Sequence, residues 1–183
     1  MAVPTPIRLV DRLEAAQWPD RLADVYRPLA NAVAGPAEGG RNALLTGSWL
    51  GHAVHPILVQ LPLGMWLSTT VLDLTGGVAA RPAARKLLGL GVLATIPAVA
   101  SGLAEWRQTA GGSRRVGLVH AAANTVGTTL MGISYLTRRM GGHGGGVLLT
   151  VAGNAAAGVA GYLGGHLTIV KQVASGSPVA LTD

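Results

Sequence analysis

Histidine is the residue type with the clearest potential for chemistry in this sequence of 183 residues. Four of the five histidines and one glutamate stand near the ends of long uncharged stretches: His52, His55, Glu105, His120 and His166. Imidazole binds haem iron, zinc, copper and non-haem iron, and a carboxylate can join it as a ligand or hold its second N–H group. The sequence has no cysteine, which excludes disulfides, thiolate-held metals and covalently attached haem.

A b-type haem is the first interpretation of these residues. This cofactor needs one or two neutral imidazoles that face each other across a helical bundle. We expect His55 and His120 to be the axial ligands because they lie deepest in their uncharged stretches, and His52 and His166 are the next candidates. The side chains expected to assist are Glu105 and Asn124, for an imidazole N–H, and Arg107, Arg114 and Arg115, for the haem propionates.

Two other interpretations use the same histidines. A non-haem Fe, Cu or Zn ion could be held by His52, His55, His120, His166 and Glu105, and the first two, three positions apart, would reach one ion from a shared helix. Alternatively, the histidines form a polar network without a cofactor in a structural or interaction protein. Such a protein could form a homodimer through a stripe of small residues: Gly153, Ala157, Gly161 and Gly165. Enzymatic activity stays open.

The elements that must position these residues are predicted from hydropathy and charge. Only 12% of the residues are charged, against about 25% in an average soluble domain. Since about 20 apolar residues in a helix cross a bilayer core, the uncharged stretches predict four transmembrane helices: residues 51–73, 84–106, 116–137 and 147–168. The predicted fold class is therefore all-α, an integral membrane four-helix bundle in a lipid bilayer.

Residues 1–45 differ from the rest because charged and apolar residues alternate there with a helical period. Two short amphipathic helices are expected, the second starting with Asp20 as its N-cap. Their apolar faces are Ile7, Leu9, Val10 and Leu13, and then Leu22, Val25, Tyr26 and Leu29. We expect them to lie on the membrane surface or on the bundle. The predicted domains are thus residues 1–45, the membrane domain 46–170 and a polar tail, 171–183.

The antiparallel order of four spans predicts which residues meet. Helix ends alternate between the two sides of the membrane, so the four histidines and Glu105 are expected on the side of the N-terminus. Ionisable residues in membrane spans are costly and usually face the interior of a bundle or a cavity. His143 and Asp73 are expected on the other side, with Asp73 near Arg81 and Arg85.

The net charge of +6 does not indicate nucleic acid as a partner, because the basic residues form short groups without interleaved aromatic residues. Basic residues are equally frequent on both predicted sides of the membrane, so they do not set the orientation. A charged N-terminal segment without a signal-peptide pattern favours cytoplasmic N- and C-termini in the cell (inner) membrane.

Four motifs occur in order along residues 42–170: Gly51-His52-Ala53-Val54-His55-Pro56, Ser101-Gly102-Leu103-Ala104-Glu105-Trp106, Gly117-Leu118-Val119-His120-Ala121 and Gly161-Tyr162-Leu163-Gly164-Gly165-His166. Together they resemble a bacterial family of predicted four-helix membrane proteins with a domain of unknown function. The sequence has Ala53 where many relatives have proline, and Glu105 where aspartate is common.

This resemblance implies the fold and the membrane location. Some members of the family are similar to the membrane part of chains that continue into a Rieske iron–sulfur domain. That association implies electron transfer and therefore favours haem. Because this sequence has no Rieske ligands of its own, the resemblance implies a separate Rieske-type or other electron-transfer partner.

Overall fold

The structure, a computed structural model, describes residues 5–173, with side chains from Ile7 onward. The described chain is helical, in agreement with the predicted all-α class. Its helices are α1 (Thr5–Ala15), α2 (Trp18–Ala34), α3 (Gly40–Thr46), α4 (His55–Leu58), α5 (Gln60–Thr75), α6 (Gly77–Trp106), α7 (Gly111–Arg139) and α8 (His143–Gly165). A 3₁₀ turn, Ser48–Leu50, precedes α4, and a π-helical turn, His166–Val170, follows α8. Most of the predicted polar tail lies outside the described residues.

Four helical stretches are long and apolar enough to cross a membrane, which confirms the predicted number: His55–Thr75, Gly77–Trp106, Gly111–Arg139 and His143–Val170. The last three begin four to seven residues before their predicted starts. The uncharged stretch marks only the apolar centre of each span. Arginine and lysine are good helix formers whose aliphatic stems extend along apolar surface, so a helix continues through them.

The first span begins later than predicted, at His55 rather than near residue 51. Gly47 and Gly51 adopt left-handed φ angles of 79° and 77°, which break the helical path, and Pro56 suits the first turn of a new helix. His52 therefore lies in a bend before α4. The expectation that His52 and His55 share one helical face is wrong.

The chain divides into two compact units, which are described separately. Unit 1 comprises Met1–His55, Ala100–Ala121 and Gly161–Asp183. Its buried core contains Val10 of α1, Val116 of α7 and Leu163 of α8, together with Leu167. The N-terminal helix α1 thus packs on the ends of two membrane helices, and burial of each such side chain contributes about 1.5–3 kcal/mol.

Helix α2 presents its predicted apolar face outward. Leu22, Val25, Tyr26 and Leu29 are 45–72% exposed, whereas the adjoining face of the helix buries Pro19, Ala23, Ala30 and Ala34. The helix begins two residues before Asp20, at Trp18, so the predicted N-cap is wrong and Asp20 lies in the first turn. Small alanines let this side of α2 approach its neighbours closely, and its larger apolar residues remain on the surface.

Unit 2 comprises Pro56–Val99 and Ala122–Ala160. Trp66, Leu88, Met131 and Ala157 form its core. A Cβ atom on Gly153 would lie 2.9 Å from the Met131 methyl carbon, so this glycine of the α8 stripe makes room for core packing. The first half of the predicted small-residue stripe is therefore a packing face, as expected for helices in lipid.

A buried ion pair lies in unit 2. Arg138 donates two hydrogen bonds to the carboxylate of Asp73, at 2.7 and 2.6 Å, and their side chains are only 3% and 1% exposed. Ser134 and Thr150 accept further hydrogen bonds from the guanidinium. The prediction that placed Asp73 near Arg81 and Arg85 missed this partner, because Arg138 stands 65 residues away in sequence.

Candidate functional site

Two of the predicted ligand residues lie together in unit 1. The ring centroids of His55 and His120 are 6.3 Å apart, and the ring planes meet at 81°. His55 is the first residue of α4, and His120 lies in the third turn of α7. Both side chains are half-buried. The structure thus brings together the two histidines that the sequence ranks first as haem ligands.

Helix α6 holds His55 through two residues one turn apart. Nδ1 of His55 lies 3.1 Å from Oγ of the fully buried Ser101, and the backbone N–H of His55 donates to Oε1 of Glu105 at 3.4 Å. Glu105 therefore positions the start of α4, and Ser101 positions the ring.

Glycines form the surfaces against which both imidazoles lie. A Cβ atom on Gly102 would be 2.9 Å from Cε1 of His55, and one on Gly164 would be 2.9 Å from Cε1 of His120. Real Cβ atoms essentially never approach so closely. Only glycine at these two positions leaves the rings where they are, which gives a physical reason for Gly102 and Gly164 in the second and fourth motifs.

His166 and His52 lie apart from this pair. Nε2 of His166 is 2.8 Å from Oε1 of Glu14, a residue of α1. His52 is exposed, and its Nδ1 is 3.1 Å from the carbonyl oxygen of Ala53. Among the residues that the structure describes, no group of three or more histidine or carboxylate side chains lies close enough to share one metal ion.

Glu14 anchors α1 to the residues that follow α8. Its second oxygen, Oε2, lies 2.7 Å from Nζ of Lys171. Burial raises the pKa of Glu14, but the hydrogen bonds from Lys171 and His166 outweigh it, and the net pKa is lowered from the ordinary 4.5. Glu14 is therefore a carboxylate at neutral pH and holds two basic side chains.

The arginines predicted to bind propionates contact the N-terminal segment. Arg115 donates to both oxygens of Asp20, at 3.0 and 2.8 Å, and to the carbonyl oxygen of Glu14 at 2.6 Å. These hydrogen bonds lower the pKa of Asp20 from its ordinary 3.8. Arg114 lies 3.6 Å from the same carboxylate.

Arg107 binds the end of α2 and the first turn of α3. Its guanidinium donates to the carbonyl oxygen of Gly35 at 2.6 Å and to Oδ1 of Asn42 at 2.8 Å. All three arginines thus bind residues of the N-terminal helical segment, 14–42, within unit 1. Asn124 lies half-buried in α7, one turn after His120.

Sequence reasoning missed three residues that shape the site. Ser101 carried a usable signal, because it is a polar residue in an uncharged stretch, one helical turn before Glu105. Glu14 and Asp20 had no such signal in the sequence, since charged residues in an amphipathic segment are usually solvated. Their partners become evident only once the N-terminal helices are placed on the membrane helices.

Comparison with known protein families matches residues 51–176 to a family described as "Predicted membrane protein (DUF2231)". Comparisons with curated proteins and with solved structures find no match. The matched stretch contains the four candidate spans and the pair formed by His55 and His120. The chain therefore belongs to the DUF2231 family of predicted membrane proteins.

Proposed function

We propose that this membrane protein binds a b-type haem through His55 and His120 and carries electrons. The observation that supports the proposal is the pair of imidazoles from α4 and α7, at a centroid separation of 6.3 Å. Bonds between a metal and an imidazole nitrogen are about 2.0–2.1 Å long. Two such bonds, together with the ring radius on either side, span a distance close to this separation.

The angle between the rings agrees with such a pair. A pair of imidazoles would hold one metal ion at any angle between their ring planes, so the observed 81° fits such a pair. When bound, haem supplies reversible one-electron chemistry at its iron.

Ser101 supports a ligand role for His55. In this role Nδ1–H of His55 would donate to Oγ of Ser101, 3.1 Å away, and the lone pair that binds the metal would then be on Nε2. Ligating histidines almost always donate their other N–H group in this way, which orients the ring and raises its basicity. From the sequence, Glu105 is expected to contact the imidazole of the ligand. In the structure Ser101 contacts the ring of His55, and Glu105 accepts a hydrogen bond from the backbone N–H of His55.

The bare-metal alternative has less support, because His52 and His166 contact other groups and a third ligand is needed near His55 and His120. A separate electron-transfer partner, of Rieske or other type, is part of the proposal. We also propose the cell membrane as the location, with cytoplasmic termini. Because the N-terminal segment and the histidine pair belong to the same unit, the pair would then lie toward the cytoplasm.

The test is the absorption spectrum of protein purified from haem-replete cells. We expect a Soret band that is lost in His55→Ala and in His120→Ala. His52→Ala is the matched control, because this side chain is exposed and its Nδ1 lies beside the carbonyl oxygen of Ala53, and we expect it to keep the band. Circular dichroism verifies that each variant remains helical.

Two outcomes would contradict the proposal. A colourless preparation with stoichiometric Fe, Cu or Zn by elemental analysis selects the non-haem alternative. A colourless and metal-free preparation, with His55→Ala and His120→Ala as stable as the parent protein, selects a structural or interaction role. In that last case the homodimer expected from the small-residue stripe becomes the next measurement.

A further inference from the structure

A basic cavity lies in unit 2, where α6 begins, α7 ends and α8 begins. Its volume is about 190 Å³. Pockets that hold drug-sized ligands are larger, about 300–1,000 Å³, so this cavity suits a small polar group. The residues that line it are Arg81, Pro82, Arg85, Arg138, Gly141 and His143.

The buried ion pair forms one wall of the cavity. Arg138 is fixed by Asp73, and its charge is matched there by a carboxylate at 2.6 Å. Ser134 and Thr150 hold the same guanidinium at 3.2 and 2.9 Å. This wall is therefore rigid and contributes little net charge.

Arg81 and Arg85 contribute the net charge. They stand one turn apart on α6, both are exposed, and neither has an ion-pair partner within 4 Å among residues 5–173. His143 also lines the cavity, as the first residue of the 23-residue helix α8, where the helix dipole favours an anion. Two unmatched cations, a histidine and a helix N-terminus thus surround one cavity.

We propose that this cavity binds a phosphate group. Arginine presents planar pairs of N–H donors that match phosphate oxygens. The cavity lies at the ends of three candidate spans, the depth at which phospholipid headgroups meet a membrane protein. The phosphate belongs either to an anionic phospholipid or to free inorganic phosphate, and the chemistry of recognition is the same for both.

The experiment compares two double variants of the full chain that remove the same charge. Arg81→Gln/Arg85→Gln removes the unmatched cations of the cavity. Lys86→Gln/Arg139→Gln is the control, because both residues are exposed and neither lines the cavity. Native mass spectrometry with phosphatidylglycerol and phosphatidylcholine measures lipid binding, and titration calorimetry with inorganic phosphate measures binding of the free ion.

We expect the cavity variant to bind phosphatidylglycerol, inorganic phosphate or both about tenfold more weakly, while the control binds as the parent protein does. Selective loss of phosphatidylglycerol binding identifies a lipid site, and loss of inorganic phosphate binding identifies a site for the free ion. Equal losses in the two double variants would indicate general attraction to a basic surface and overturn the proposal. So would a parent protein that prefers neither phosphatidylglycerol over phosphatidylcholine nor phosphate over chloride.

Discussion

Glu14 and His166 are 152 positions apart in sequence, yet Oε1 of one lies 2.8 Å from Nε2 of the other. The contact joins α1 to the π-helical turn after α8. Glu14 also binds Lys171, so a single carboxylate holds the N-terminal segment to the C-terminal end of the described chain.

Removal of this carboxylate should loosen α1 without unfolding the membrane helices. For Glu14→Ala we expect the free energy of opening of α1 to fall by about 1–3 kcal/mol, since hydrogen bonds to charged groups are lost. Hydrogen exchange of residues 5–15 measures the change. Asp24→Ala is the control, because the Asp24 side chain is 69% exposed and pairs with Arg27 of its own helix. If hydrogen exchange in α1 is unchanged in Glu14→Ala, the apolar contacts of α1 alone hold it in place.

Acid should release the same segment. The pKa values of Glu14 and Asp20 are lowered from 4.5 and 3.8, so both groups are more acidic in the folded protein than in the unfolded chain. Their contribution to stability is complete above those ordinary values and is lost as the pH falls through the lowered ones. Limited proteolysis between pH 6 and pH 3, with an acid-stable protease, should therefore show cleavage in residues 5–42 that begins below about pH 4.5. Cleavage that is independent of pH would argue against a role for these carboxylates.

Ser101 should control the properties of His55. Ser101→Ala removes the oxygen 3.1 Å from Nδ1, and we expect haem affinity to fall about 10–100-fold, as for other partners of ligating histidines. The reduction potential of the remaining bound haem should also shift. Ser68→Ala, at an exposed position of α5, is the control. If Ser101→Ala and Ser68→Ala have the same haem affinity and the same reduction potential, Ser101 does not act on the haem ligand.

The glycines beside the imidazoles should be intolerant of alanine. In Gly164→Ala the new methyl group would overlap the ring of His120, and we expect about 1–3 kcal/mol of destabilisation together with a changed Soret spectrum. Gly158→Ala on the same helix meets nothing within 4 Å, so it should be neutral or stabilising by up to about 1 kcal/mol. Thermal unfolding and absorption spectra of both variants provide the comparison. If the two variants are equally stable and have the same spectrum, the ring of His120 does not lie against Gly164.

The four spans could be predicted from the sequence, because the length of an uncharged stretch is a local property of the chain. The proximity of His55 and His120 could be predicted for the same reason, since both lie well inside such a stretch. His52 was misplaced because the left-handed turns at Gly47 and Gly51 interrupt the helix before His55. The arginine partners were missed for another reason. Arg115 and Asp20 are separated by 95 positions, and such a pairing depends on how the N-terminal helices dock.

The pair formed by Asp73 and Arg138 has a consequence for the order of assembly. During synthesis α5 reaches the membrane before α7, so the carboxylate of Asp73 precedes its cation by 65 residues. A carboxylate that is only 1% exposed is costly to bury without a partner, and pairing with a cation offsets that cost. The native burial of Asp73 at the end of α5 therefore requires Arg138 of α7 to be in place. Packing of the first candidate span is thus thermodynamically coupled to packing of the third.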